Sequence, residues 1–302
     1  MKTTTSTTFQ TIFRAGLFDG RTALVTGGGS GIGRCIAHEL AALGARVALA
    51  GRKLEKLEAV AKEIADAGGP KAFCLSCDIR DEDRVRETVA AIVAEFGHVD
   101  FLVNNAGGQF AAPLESISAK GWDTVVRNNL TGGFLVAREC YTQSMKAAAK
   151  AGNPGAIVNI IADMWAGMPN MGHSGAARAG MLNFTETASL EWAPIRVNAV
   201  APGWIASSGM DHYPETMREH IRALPKKVPA GRLGTESEVS AAVVFLLSPA
   251  AAFISGSCLR VDGAVPNAKR VWDHPIGSDS ARGKTEAFDG FHLAQLPKIL
   301  RD

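Results

Sequence analysis

Thr26-Gly-Gly-Gly-Ser-Gly-Ile-Gly33 follows the apolar run Thr22-Ala-Leu-Val25 and opens a segment of helical period from Ile32 to Leu43. A strand, a tight glycine turn and a helix start form the context in which a glycine motif carries meaning. The turn needs glycine because the backbone must bend sharply and come close to a pyrophosphate, where no Cβ is tolerated. The free N–H groups and the positive end of the helix dipole then face the phosphates. The binding set expected here is Gly27, Gly29, Ser30, Gly31, Ile32 and Gly33.

The rest of the chain alternates strand with helix. Apolar runs at Arg46–Ala50, Lys71–Cys77, Asp100–Val103, Ala156–Ile161, Ile195–Val200 and Cys258–Val261 read as strands. Helical periods separate them at Lys53–Ala67, Glu82–Phe96, Trp122–Lys150, Ser174–Trp192 and Glu236–Leu247. Continuous apolar strands divided by helices predict a parallel sheet covered on both faces, with right-handed crossovers. The expected fold is therefore a single-domain α/β doubly wound Rossmann fold of about seven strands, with its ligand at their carboxyl ends. That domain spans 18–264, with a polar lid at about 204–230, an arm at 1–17 and a tail at 265–302.

Composition narrows the function classes. The 302 residues carry a net charge of +2 with both signs interspersed, so neither a nucleic-acid field nor a membrane partner is implied. No apolar run reaches transmembrane length. Five scattered cysteines, with Cys74 and Cys77 inside a strand run, suggest reduced thiols and a cytoplasmic setting, and no metal site is expected. The Thr-rich first 18 residues mildly resemble a transit peptide, with Phe9, Ile12, Phe13 and Leu17 on one face of a helix. The favoured reading is an arm that packs on a neighbouring subunit.

The second strand ends in Gly51-Arg52-Lys53, where an acid would favour NAD. A cation suits a 2′-phosphate instead, so NADP(H) is expected over NAD(H), held by Arg52 and Lys53. Asp78 and Ile79 after the third strand fit an adenine, and Asn104–Gly107 after the fourth offers a small-residue wall for the adenine ribose, with Asn105, Ala106 and Gly107 as contacts.

Several motifs occur in order: the glycine turn spaced at Gly27, Gly31 and Gly33, Asn104-Asn-Ala-Gly107, Asn129-Leu-Thr-Gly132, Arg196-Val-Asn-Ala-Val-Ala-Pro-Gly203 and Val261-Asp-Gly263. With them the chain resembles the classical short-chain dehydrogenases/reductases from about Phe18 to Ala264. The resemblance implies cofactor contacts from Pro202, Gly203 and Ile205, and a homodimer or homotetramer. It also implies a catalytic Asn, Ser and Tyr-x-x-x-Lys. Asn129 carries over, expected to hold a helix bend and an ordered water. The Ser is missing from Asn159-Ile-Ile-Ala162, and the Tyr-x-x-x-Lys register falls on His173-Ser-Gly-Ala-Ala177. Arg178 lies one residue, roughly 100° of helix, beyond the lysine position, and does not simply replace it.

Gly108-Gln-Phe110, Gly121-Trp122 and His173–Gly180 are similar to the peroxisomal trans-2-enoyl-CoA reductases, although Arg301-Asp302 is no peroxisomal address. Within that branch some members carry a second Tyr-x-x-x-Lys, and those positions here are Leu182 and Glu186. The likeness implies reduction of a 2-enoyl-CoA or related conjugated carbonyl, a reaction that needs an oxyanion donor and a proton. His173 is the first choice of donor, because histidines ordinarily titrate near neutrality. Ser174, Tyr213 and the Asn129-held water are the others. His173 has the equal alternative of capping the helix and filling the tyrosine's space. Gln109, Phe110, Met164, Trp165 and Trp204 form the expected pocket wall. Lys226 and Lys227 read as a solvated pair, with CoA phosphates as their alternative partner. Two further functions stay open: an alcohol or carbonyl dehydrogenase on a hydrophobic substrate such as a terpenoid, and a nucleotide-binding fold that has lost catalysis.

Overall fold

The computed structural model describes residues 10–213, 215–267, 288–289 and 297–301. Seven parallel strands form one sheet in the order β4-β3-β2-β5-β6-β7-β8. They are β2 (Thr22–Thr26), β3 (Arg46–Gly51), β4 (Phe73–Ser76), β5 (Phe101–Asn104), β6 (Ala156–Ile160), β7 (Arg196–Pro202) and β8 (Cys258–Val261). The order reverses between β2 and β5, which opens a crevice at their carboxyl ends. Every residue of β2, β5 and β6 is buried, as the continuous apolar runs require of central parallel strands.

Helices α1 (Gly31–Ala42), α2 (Leu54–Asp66) and α9 (Glu236–Leu247) cover one face, where Ile36, Leu40, Leu57, Ile64, Val239 and Val243 meet Val25, Val47 and Val158. On the other face, residues of α3 (Glu82–Phe96), α5 (Gly132–Cys140) and α7 (Gly172–Glu191) pack over Leu24, Leu102, Ile157 and Val197. Sequence chemistry sets several ends. The Asp81 carboxylate accepts from the Asp83 and Arg84 N–H groups, and Thr235 with Glu238 closes a capping box on α9.

The stretch read as one helix over Trp122–Lys150 starts earlier and is not uniform. It runs as α4 (Ala119–Val126), α5 and α6 (Lys146–Lys150), joined by π-helical turns at Arg127–Thr131 and Tyr141–Met145. The first of these turns carries Asn129, buried at 3% exposure.

The arm departs from its expected course. Gln10–Thr11 (β1) is extended and pairs antiparallel with Phe288–Asp289 (β9) of the tail. Thr11 Oγ1 donates to Glu39 Oε1 at 2.8 Å, and Phe13 and Leu17 pack on the core of their own chain. Phe9 lies outside the described residues. The end of the tail returns to the lid: Ile299 is buried with Met210, Ile221 and Leu224, and its N–H donates to Asp211 Oδ1 at 3.2 Å. Ile12 beside Phe13 stays 68% exposed.

Among the described residues all five cysteines are free, with Cys35, Cys77 and Cys140 buried. No described helix is long and apolar enough to cross a membrane.

Candidate active site

The glycine turn sits at the carboxyl end of β2. Gly27 and Gly31 have φ of 67° and 57°, a region that disfavours residues with a Cβ. Gly33 is required for a different reason: a Cβ there would lie 2.5 Å from Gly27 O and 2.3 Å from Asn105 Nδ2. Gly29 packs against Lys56 and Leu57 of α2, so its place is structural support for the turn. Ser30 is the N-cap of α1, but its side chain makes no capping bond and the first turn holds no acid. The helix therefore presents unsatisfied N–H groups and its positive dipole to the crevice, a cradle that fits phosphates.

Thr26 fixes this turn to the loop after β5. Its Oγ1 accepts from Asn105 N and Ala106 N, each at 3.0 Å, and donates to Val103 O at 3.3 Å. Asn105 Nδ2 returns a bond to Thr26 O at 3.0 Å. Asn105, Ala106 and Gly107 thus line the crevice beside the glycines. On the other side, Arg52 and Lys53 are exposed at the end of β3, and Arg52 forms no ion pair among the described residues. Asp78 is already engaged: Arg80 grips it at 2.6 Å and 2.9 Å, and these bonds hold its carboxyl below the ordinary range. Ile79 turns its side chain onto Gly132 of α5, leaving only its backbone toward the crevice. At the far edge Gly203 donates to Val261 O, and a Cβ on it would meet Asp262 Cα at 2.7 Å. Pro202 and Ile205 are both buried beside it.

Opposite the cradle, Asn129 clips the loop after β5. Its Nδ2 donates to Gly108 O (2.7 Å) and Val125 O (2.9 Å), and its Oδ1 accepts from Gly108 N (3.1 Å). Behind it runs a buried polar chain. Asn104 Nδ2 donates to Asn159 Oδ1 (2.9 Å), Asn159 Nδ2 to Thr185 Oγ1 (2.9 Å), and Thr185 Oγ1 to Met181 O (2.8 Å). This ties β5 to β6 and β6 to α7, fixing the helix that carries the remaining site residues.

His173 is fully buried, with its ring against Phe110 at 4.5 Å between centroids. Its Nδ1 accepts the Ser174 backbone N–H at 2.8 Å. A nitrogen that accepts carries no proton, so the neutral ring bears its hydrogen on Nε2. That atom is buried and has no hydrogen-bond partner among the described residues. Nδ1 thus satisfies one N–H of the first turn of α7, whose N-cap is Met171 and carries no side-chain capping bond. Ser174, also fully buried, donates from Oγ to Gln109 Oε1 at 2.5 Å.

Arg178 reaches further than its angle on the helix alone indicates. Nη1 donates to Ile160 O at 2.7 Å, and a Cβ on Gly107 would lie 2.6 Å from Nη2 and 2.7 Å from Asn129 Oδ1. The guanidinium therefore lies on the crevice floor, reached by the length of its own side chain. Ser174 and Arg178, one helical turn apart, both meet the loop after β5, while Ala177 is packed inside. Burial lowers the Arg178 pKa to about 10, so the group keeps its charge at neutral pH.

Tyr213 and Trp204 do not join this group. Both pack in the lid's own apolar cluster with Met210, Ile221 and Leu224, and no hydrogen bond links Tyr213 to Asn129, His173 or Ser174. Met164 and Trp165 pack together over Ile161, with the Arg260 guanidinium 5.3 Å from the Trp165 ring. Lys226 and Lys227 end the turn Leu224–Lys227.

Comparison with known proteins rests on this frame. The family model described as enoyl-(acyl carrier protein) reductase matches residues 27–265. The chain is a short-chain dehydrogenase/reductase. Among curated members of the family it is 36% identical over 250 residues to the "Probable 2,4-dienoyl-CoA reductase" of Bacillus subtilis (strain 168), covering 80% of this chain and 95% of that one. Among solved members, the citronellol catabolism dehydrogenase of Pseudomonas aeruginosa PAO1 is 58% identical, with TM-score 0.75, covering 85% of this chain and 99% of that one. A variant of actinorhodin polyketide ketoreductase solved with NADPH is 33% identical, with TM-score 0.76, covering 84% and 100%. As a family member the chain is an oxidoreductase of Rossmann type.

Sequence reasoning missed the long-range bonds of Thr26 and Asn104 and the reach of Arg178. Thr26 stood in the quoted motif, but its bonds run to a segment about 80 residues away, which no local pattern reveals.

Proposed function

We propose that the protein is an NADPH-dependent reductase of a 2-enoyl-CoA or related conjugated carbonyl. One observation carries this reading. His173 Nδ1 is occupied as an acceptor, so the buried, unpartnered Nε2–H faces its surroundings as a donor and not as a base. Conjugate reduction asks for such a donor at the carbonyl oxygen, whereas alcohol oxidation asks for a base.

The glycine turn would hold the pyrophosphate, Arg52 and Lys53 the 2′-phosphate, and Asn105–Gly107 the neighbouring ribose. A nicotinamide held there would supply hydride chemistry at the β carbon. His173 Nε2–H donates to the carbonyl oxygen as negative charge develops there. Asn129 keeps the loop after β5 in place through Gly108, and Ser174 holds Gln109 at the pocket wall. Water delivers the α-carbon proton. An acyl-CoA substrate is supported by the dienoyl-CoA reductase relative, NADP(H) by Arg52 and by the NADPH-bound ketoreductase, and a homodimer or homotetramer by membership of the family.

NADPH consumption across a chain-length series of trans-2-enoyl thioesters tests the proposal, and no turnover with any member would overturn it. The relative at 58% identity supports a second reading, a dehydrogenase of a hydrophobic, terpenoid-like alcohol or carbonyl. Reduction of NADP⁺ by citronellol, with no activity on thioesters, would establish that reading in place of the first.

A further inference from the structure

The lid is a flap on a single base. Ala206 N–H donates to Gly234 O and Gly234 N–H to Trp204 O, each at 2.9 Å, so the chain entering the lid meets the chain leaving it. Between these points the lid is built from short pieces, among them the turn Ser208–His212, α8 (Arg218–Ala223) and the turn Leu224–Lys227. Pieces this short do not hold their shape unaided. They share a small apolar cluster in which Met210, Ile221 and Leu224 are buried, and among the described residues no strand of the main sheet contributes to it.

A segment from outside the lid completes that cluster. Residues 297–301 insert Ile299, which is 4% exposed. Its N–H donates to Asp211 Oδ1 at 3.2 Å. Arg222 Nε donates to Ile299 O at 3.2 Å, and Arg222 Nη2 donates to Arg301 O. The segment therefore ties the turn Ser208–His212 to α8. That turn is also the part of the lid that leans on the cofactor cradle. A Cβ on Gly31 would lie 3.7 Å from Ser208 Oγ and 4.0 Å from Ser207 Cβ. A dinucleotide entering or leaving the cradle has to displace it.

We propose that Ile299 and Arg222 are positioning residues for the lid: residues 297–301 form a latch that keeps the flap down over the cradle and so sets the rate of dinucleotide exchange. This inference rests on the crevice being a nicotinamide dinucleotide site, but not on the identity of the acyl substrate. Exchange passes through an open state, so a weaker latch raises the open fraction and speeds entry and release by the same factor. Affinity then moves much less than either rate. That pattern separates a latch from a residue that touches the ligand and from one that only supports the fold.

The test measures exchange without turnover. Stopped-flow fluorescence gives the NADPH association and dissociation rate constants of wild type, Ile299→Val, Ile299→Ser and Arg222→Gln, alongside their melting temperatures. Ile299→Ser removes most of the buried side chain and is expected to accelerate both rates about tenfold, with Kd within about threefold of wild type. Ile299→Val keeps the apolar contact and should stay within about threefold on both rates. Arg222→Gln, an exposed position, should move both rates in the same direction as Ile299→Ser by about threefold or more. A lower melting temperature for Ile299→Ser with both rates unchanged would overturn the proposal, and so would a change confined to one of the two rates. If Ile299→Ser does not fold, Arg222→Gln decides on the same criterion. If wild type prefers NADH, the same rates are read with NADH. Wild type that binds neither nucleotide would overturn the cofactor reading and this inference together. Normal exchange without thioester turnover would overturn only the substrate reading.

Discussion

Thr26→Val isolates what the Thr26 hydroxyl does. Valine matches threonine in shape and branching and suits a central strand, so packing and backbone propensity stay nearly constant. What is lost is Oγ1, the acceptor for Asn105 N and Ala106 N at 3.0 Å each and the donor to Val103 O. Thr26 is 1% exposed, so water cannot readily replace it. Each orphaned N–H costs about 1–3 kcal/mol, so the two together cost about 2–6 kcal/mol; the added methyl returns about 1 kcal/mol, for a net loss of about 1–5 kcal/mol. With an m-value of about 3 kcal/mol/M, the urea midpoint should fall by about 1 M with the slope unchanged. NADPH affinity should fall as well, because the freed loop carries Asn105 and Gly107. Thr26→Ser, which keeps the hydroxyl, should stay within about 1 kcal/mol of wild type. A Thr26→Val midpoint indistinguishable from wild type would refute the claim that this hydroxyl clamps the two loops.

His173→Phe should lower kcat about 100- to 1000-fold with the NADPH dissociation constant unchanged, as read by steady-state kinetics and fluorescence titration. Arg52→Ala should weaken NADPH binding about tenfold or more and leave NADH binding unchanged, by the same titration. Burial raises the Glu39 pKa from 4.5 to about 7, although Ser240 and Thr11 hydrogen-bond to it. The folded state then binds more protons than the unfolded state between these values. The stability tied to Glu39 is fully present below about pH 4.5 and is lost as pH rises through about 7, a change of about 3 kcal/mol. Glu39→Gln should flatten the dependence of the urea midpoint on pH across that window.

The fold was legible because its signals are local and repeated. Seven apolar runs became seven parallel strands, and Glu82–Phe96, Glu236–Leu247 and Cys258–Val261 fall at their expected bounds. The site was legible only where backbone geometry dictates the residue, as at Gly27, Gly31 and Gly33. Side-chain reach was not. Arg178 lies off the expected helix position, yet several bonds of free rotation carry its guanidinium to Gly107, while Tyr213, placed by the lid's own apolar cluster, stays with the lid. A helical wheel records where a side chain leaves the backbone and says little of where a long one ends.

The π-helical turn at Arg127–Thr131 has a consequence for divergence in this chain. A π turn accommodates one residue more than an α turn, which makes it the signature of a single-residue insertion. Removing one residue there would return the segment to α geometry and leave the helices on either side facing nearly as before, because the π turn absorbs the extra residue within itself. Asn129 would lose Gly108, yet α5 would keep its packing on the sheet. The extra residue is thus confined to the one turn that reaches the crevice, so that turn can change while the helices on either side hold still.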